Sequence, residues 1–454
     1  MAPDLRKPQL RQARIYLIAA ASLLLVIGVY NLFSLCYDDS FPRIQHFDLA
    51  LSAQWKQCDP MLSSVVHGSL TDPQWHSVID NVFVYSAFMT DKYPPQRTVE
   101  IMALAEIWQD RFLEREVCWC QFQRESEAAD GESVSSSMRI ENERRLDRHR
   151  RKYGHVRLIC DIPQNAITSS VVARCQSRTA CGAVQLPVHQ LPPHPPKPLT
   201  FALCVAVLFG EISANGVVEF IEYYRLLGFD KFLFYKHDVP ADVQRVLEYY
   251  RQEGVLDLYT WIVPGLNMSE TSKDVWYFAQ AGALNDCTER TGYTWDYTFI
   301  VDLDEYLVLN DGLSLSTLVR KGEDDCTVIR SAIVKLPAAS SSNTTFALHR
   351  PPSTLLKYSL RQSFIYPWDS RSKTICHGRK VLAAGIHWPH YVLPGIRFTG
   401  TRTADADSEA LVFHRRKEVL NDWLWWSWVG DERGLAHVEQ VVVNVDRVIQ
   451  KLTS

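Results

Sequence analysis

The sequence predicts an α/β protein in three parts: a membrane-spanning helix, a β-rich stem domain, and a Rossmann-like, mostly parallel sheet with helices on both faces. Three observations carry that expectation. Residues 201–301 alternate short apolar runs with segments of helical spacing, a proline-packed string precedes them, and a long uncharged stretch lies near the N-terminus.

Ile15–Tyr37 holds no charged residue and is long enough to span a bilayer, for which roughly 20 apolar residues suffice. Arg6, Lys7, Arg11 and Arg14 precede it and Asp38 and Asp39 follow, so the positive-inside rule leaves residues 1–14 cytosolic and the bulk of the chain luminal. A cleaved signal peptide is the competing reading of 15–37, and both readings send the chain into the secretory route. Of the 11 cysteines only Cys36 falls in this anchor, which leaves the others in a compartment where disulfides persist. The acceptor triplets at Asn267 and Asn343 fit a luminal face.

Residues 38–190 read as the stem. Trp75–Thr90 and Tyr153–Ile162 are rich in aromatic and β-branched residues, whereas Arg124–Lys152 is polar without periodicity and reads as a solvated loop or frayed helix. Residues 191–199, LPPHPPKPL, favour extended polyproline geometry and form the linker to a second domain at 200–454. There, Phe201–Phe209 is a buried strand. A helix follows from about Gly216, with Val217, Phe220, Ile221, Tyr224 and Leu227 at helical spacing and Gly228 as its stop. KFLFY is the second strand. Asp242 caps the next helix, which buries Val243, Val246, Leu247 and Tyr250 and ends at Gly254; LDLYTWIV is the third strand. Val275–Arg290 reads as helix and Tyr297–Val301 as the fourth strand. This βαβαβαβ order implies right-handed crossovers and a parallel sheet.

The formal net charge of −4 gives no basic field for nucleic acid, and the 46% apolar composition supports real cores. The most informative motif is YTFIVDLDEYLVL. Ligands bind past the carboxyl ends of strands in open α/β sheets, and there Asp302, Asp304 and Glu305 gather. Carboxylate oxygens suit Mn2+ or Mg2+, and such an ion can hold a nucleotide diphosphate. The plain alternative is an acidic turn that is merely solvated.

The chain resembles glycosyltransferase family 92 at VEFIEYYRLLG, VLEYYRQEGVLDLYTW, ALNDCTER and DLDEYLVL, again at VLAAGIHWP and FHRR, and in the stem at VYSAF. The resemblance implies a GT-A type fold, a UDP-sugar donor with UDP-galactose expected, inversion at the transferred carbon, and a glycan acceptor such as an N-glycan. Together with the anchor and its flanking charges, this reads as a single-pass type II enzyme of the Golgi membrane or nearby secretory membranes. Two departures are visible: Arg415 replaces an aromatic in His414-Arg415-Arg416, and Gly378 stands where proline is expected.

On this reading Asp302 faces the ribose or the cation, Asp304 and Glu305 complete an acidic ligand set, and His414 adds an imidazole, with His387 as the alternative. Arg416 serves the phosphates. Glu211 and Asn215, after the first strand, lie where a donor base or ribose belongs, with helix capping by Asn215 the plainer role. An inverting transfer needs a carboxylate base; Asp369 beside Trp368 is one candidate, and Asp405 and Asp407 are equally open. Trp423, Trp425, Trp426 and Trp428 offer faces for an acceptor sugar or for a core. A glycan-binding member of the same fold without turnover is the rival reading, and a two-metal phosphohydrolase is the weaker one, since no second His/Asp cluster is visible.

Overall fold

Every β-strand consumes its backbone groups with a neighbour, and the connection leaving each strand decides whether that neighbour is parallel or antiparallel. The computed structural model describes residues 45–46, 65–92, 97–108, 111–112, 117–124, 133–141, 149–177, 180–190, 199–319, 325–335, 360–392, 401–416 and 427–453. The expected tail, the anchor 15–37 and residues 191–198 lie outside them.

The stem is a closed barrel. Cys181–His189, Ser170–Gln176, Val117–Gln123, Ser133–Glu141, Tyr153–Asp161, Thr98–Trp108 and Val82–Thr90 pair in that order. Parallel pairing of Val188 with Ala87 and His189 with Phe88 joins the last strand to the first. Closure removes the open edges that a sheet must otherwise protect. Inward residues such as Val84, Ile101, Val156 and Val184 fill it, and the Cys118–Cys175 and Cys120–Cys160 disulfides lie among them. Part of the segment 124–152, read as loop or frayed helix, is instead the strand Ser133–Glu141.

The catalytic half begins as expected, with β1 (Phe201–Leu208), α1 (Ala214–Leu227), β2 (Lys231–Lys236), α2 (Ala241–Gln252), β3 (Leu256–Thr260), α3 (Gln280–Gly292) and β4 (Tyr297–Ile300). Gly228 ends α1 at φ 101°, a conformation costly for a residue with a Cβ. The capping differs in detail. Ser213, not Asn215, caps α1, Pro240 rather than Asp242 occupies the cap of α2, and α3 starts at Gln280 rather than Val275. Before it, Tyr277, Phe278 and Ala279 all take left-handed φ values of 41°, 58° and 58°.

The later strands that shape the site are β5 (Glu305–Leu309), β6 (Cys326–Ile329), β7 (Ser331–Lys335), β8 (Lys373–His377), β9 (Thr401–Thr403) and β10 (Ala410–Arg416), with Leu360–Gln362, Val381–Ala384, Pro389–Val392 and Trp428–Gly430 as further short strands, and helix α4 (Val438–Thr453) follows them. They overturn the expected Rossmann-like parallel sheet. The order is β3-β2-β1-β4-β8-β6-β9, and β8 runs antiparallel to both β4 and β6. A second, five-stranded sheet pairs β5 with β10 and β10 with β7. Parallel neighbours need long, usually helical crossovers; after β4 the described chain returns mainly in short strands, so the sheet becomes mixed. The described residues do not bear out the expected spanning helix or the Golgi membrane placement: no helix among them is long and apolar enough to cross a membrane, and residues 15–37 lie outside them.

Residues 44–454 form one unit, because the outer face of the barrel and the catalytic sheet share a core. Trp261, fully buried, meets Trp75 and Tyr85 edge-on, and its indole N–H donates to the Phe278 carbonyl at 3.0 Å. Asp286 of α3 accepts from Ser86 of the stem and, at 2.5 Å, from Tyr235 of β2. The Cys204–Cys287 disulfide ties α3 to β1.

Burial pulls the imidazoles of His155 and His189 below their ordinary value, to about 3 and about 4, with Arg157 and Arg290 adding repulsion. Above about pH 6.5 both are neutral in either state. Below it the unfolded chain takes up the proton first, so stability falls down to the folded values, by roughly 1.4 kcal/mol per pH unit for each ring. In denaturant titrations at pH 7 and pH 5, His155→Gln should lose about 2 kcal/mol less stability than wild type over the same interval.

Gly378 replaces the expected proline for a spatial reason. A Cβ there would lie 2.3 Å from Gly292 Cα, at the end of α3. Gly378→Ala should cost about 1–3 kcal/mol, as overpacking against backbone does, read as a lowered unfolding midpoint.

Candidate functional site

The acidic turn is built by its own backbone. Glu305 N–H donates to the Asp302 carbonyl at 3.1 Å, and Asp302 N–H donates back to Glu305 Oε2 at 3.0 Å. The three acids are therefore not neighbours along an extended strand. They diverge: Asp302 is half-buried, Asp304 exposed and Glu305 buried.

The antiparallel β8 delivers what a parallel neighbour would not. Its first residue, Lys373, sits beside the carboxyl end of β4, and its ammonium donates to Asp302 Oδ2 at 2.7 Å and reaches Glu305 Oε2 at 2.8 Å. Burial pulls the ammonium down, but the two carboxylates outweigh it and leave it above its ordinary value. For Asp302, burial raises the carboxyl and Lys373, His414 and His387 outweigh it, so it stays below the usual range. Burial dominates at Glu305, opposed by Lys373 and reinforced by Asp302, and lifts it to about 7.

β10 supplies the imidazole. Glu305 and His414 are register partners across β5 and β10, which places His414 Nδ1 3.3 Å from Glu305 Oε1 and Nε2 3.4 Å from Asp304 Oδ2. Nδ1 is buried and has no aligned hydrogen-bond partner among the described residues. A metal-binding histidine donates its other ring N–H to a carboxylate or carbonyl, and Glu305 stands at the distance for that bond without its alignment. Among the described residues no three His, Cys, Asp or Glu side chains form a preformed cation cluster. Asp304 with His414 fits instead a two-ligand site of the kind that Mg2+ or Mn2+ completes with water and substrate oxygens.

The other expected residues are distributed around this centre. Glu211 is exposed and Asn215 half-buried after β1, which pairs in parallel with β4 and so ends on the same side as Asp302. His387 Nδ1 lies 3.3 Å from the Ser372 carbonyl, and its charge bears on Asp302. Arg416 closes β10 opposite Lys335. The backbone N–H of Arg415 donates to the Asp304 carbonyl at 2.8 Å. Asp369 is exposed next to Trp368, on the turn that leads into Lys373. Asp405 accepts from the Ser408 hydroxyl and amide, each at 2.8 Å, and so closes its own turn. Trp423, Trp425 and Trp426 lie outside the described residues; Trp428 is half-buried in a short strand.

Two residues at the site carried no sequence signal. Lys373 is 71 positions from Asp302, and a lone lysine before threonine reads as surface. Gln280, whose amide approaches Asp302 Oδ1 at 3.5 Å, follows the left-handed turn, which contains no glycine or asparagine to announce it.

Residues 200–451 match the family model described as glycosyltransferase family 92. The chain belongs to that family. The acidic turn, Lys373 and His414 of this family 92 chain all fall inside the matched region. The chain is 30% identical over 129 residues to a galactan beta-1,4-galactosyltransferase of Arabidopsis thaliana, a match that spans 28% of this chain and 25% of that relative. Among solved structures, HddC from Yersinia pseudotuberculosis aligns over 56% of this chain and 99% of its own, at 8% identity and a TM-score of 0.24. S. aureus TarS in complex with UDP-GlcNAc aligns over 56% and 72%, at 10% identity and a TM-score of 0.25. At such scores neither bears on the fold or ligands of this family 92 chain.

Proposed function

We propose that the protein is a cation-dependent glycosyltransferase that moves galactose from UDP-galactose to a hydroxyl of a glycan, with inversion to a β-linkage. The observation that carries this reading is the pairing of Asp304 with His414 Nε2 at 3.4 Å, in a turn whose other two carboxylates share Lys373. Family membership supports the reaction class, and the relative named for β-1,4-galactosyl transfer supports the sugar.

Asp304 and His414 would hold Mn2+ or Mg2+, which when bound supplies Lewis-acid stabilisation of a departing diphosphate. Lys373 fixes Asp302 and Glu305, so the turn keeps its shape without the ion. Glu305 backs His414 and sets the ring for Nε2 to face outward. Asp302, with Glu211 and Asn215 on the same sheet edge, would meet the donor's ribose and base, and Arg416 its phosphates. Asp369, with the 41% exposed Trp368 beside it, is the carboxylate we assign to the acceptor side.

The full-length protein should release UDP from UDP-galactose and galactosylate a galactose-terminated or N-glycan acceptor with Mn2+, and lose both activities on chelation. A second reading, glycan binding without turnover, is favoured by the commitment of two of three acids to Lys373. It would be established if glycans bind while no nucleotide sugar in a panel is turned over.

A further inference from the structure

We propose that a cavity between the stem barrel and the catalytic sheet is a second carbohydrate site, which takes one pyranose unit of a neutral glycan. The cavity measures about 340 Å³ and is lined from both halves, by Phe88 and His189 of the barrel and by Tyr259, Glu289, Arg290 and Trp295 of the catalytic half. Its size falls within the range of small-ligand pockets, about 300–1,000 Å³. It is distinct from the acidic turn, because Trp295 precedes β4 and Asp302 follows it.

The wall chemistry selects the ligand. The half-buried Trp295 offers flat apolar surface with a polar edge, which suits the carbon face and hydroxyl rim of a sugar, while Phe88, Tyr259 and Tyr293 complete the wall with one face each covered by His189, Arg290 and Arg379. The cations are committed. Arg290 donates to Asp286 at 2.6 Å and stacks 4.3 Å above Tyr259, and Lys92 pairs with Glu289 Oε1. The wall thus gives a phosphate or nucleotide no uncommitted positive charge among the described residues. It does give hydrogen-bonding groups. Gln190, Asp257 and Thr294 bring an amide, a carboxylate and a hydroxyl to the wall, and Asp257 is itself paired with Lys231 at 2.8 Å. His189 Nε2 lies 3.1 Å from Arg290 Nη1, a donor, so the neutral ring carries its proton on Nδ1 and adds no positive charge to the wall. An indole face beside an amide, a carboxylate and a hydroxyl, with no free cation among the described residues, describes the site of a polyhydroxylated, uncharged ring.

The choice of a galactoside as first probe rests on the proposed transfer reaction; the site itself does not. Methyl β-galactopyranoside and β-1,4-galactobiose, with gluco and N-acetylglucosamine counterparts, would be titrated into the full-length protein without nucleotide, with tryptophan fluorescence and calorimetry as readouts. At least one neutral saccharide should bind saturably in the millimolar range. Trp295→Ala should weaken it about tenfold, in line with the worth of an aromatic contact. Thr294→Trp, an exposed substitution at the wall, should abolish it with the melting temperature intact and so stands in if Trp295→Ala fails to fold. Asp304→Asn should leave it unchanged, which separates this site from the transfer reaction. Absence of saturable binding to folded protein, or binding that Thr294→Trp leaves unchanged, overturns the proposal.

Discussion

Lys373→Met is expected to cost about 3–5 kcal/mol of stability, the usual result of removing one partner from a buried ion pair. The lysine side chain is 2% exposed and Glu305 1% exposed, so water cannot replace the lost ammonium at Glu305. Glu305 will respond by keeping its proton to higher pH than the value near 7 that it already shows. A carboxyl raised in the folded state has no penalty while both states are protonated, and stability is lost as pH rises from the unfolded value through the folded one. The variant should therefore be less impaired at pH 5.5 than at pH 8, and the double change with Glu305→Gln should recover part of the loss. Denaturant unfolding at the two pH values reads both effects; a cost below about 1 kcal/mol at pH 8 would rule out the lysine as the clamp of the acidic turn.

Asp304→Asn is expected to lower transfer by about 100- to 1,000-fold, the scale on which removing one electrostatic stabiliser of a developing charge acts. Its side chain is 53% exposed, so the folded state should hardly notice the exchange. His414→Ala should fall in the same range, and cation affinity measured calorimetrically with UDP present should weaken in both. Asp302→Asn should behave differently, because its partner is Lys373 rather than the open side of the turn. Turnover unchanged in Asp304→Asn, with folding intact, would remove the aspartate from the mechanism.

The legible parts of the fold were those where local period and global packing agree. Val217, Phe220, Ile221 and Tyr224 announce α1 because all are buried, and Gly228 marks its end through a backbone angle only glycine adopts cheaply. The strand Ser133–Glu141 hid because polar serines dominate it and Met138 alone among its described side chains is clearly buried. α3 starts late because three successive residues enter the left-handed region, at a cost of order 1–3 kcal/mol each that nothing in Tyr-Phe-Ala foretells. The sheet turned mixed for a long-range reason, since strand direction after β4 depends on which strand docks there and not on any local period. At the site, the acidic motif was legible but not the divergence of its three side chains, and His414 was named through a resemblance. Lys373 was not, because its meaning arises only when β8 meets β4.

Helix α3 has one side against each half of the protein, through Asp286 to Ser86 and Tyr235, and through Cys287 to Cys204. The proline string thus punctuates the sequence without dividing the folded body. A chain cut at residue 200 would keep the family-matched region yet strip Trp261 of Trp75 and Tyr85, its aromatic cover. The barrel is in this sense a wall of the transferase rather than its stalk, and the two halves must be inherited, mutated and transplanted together.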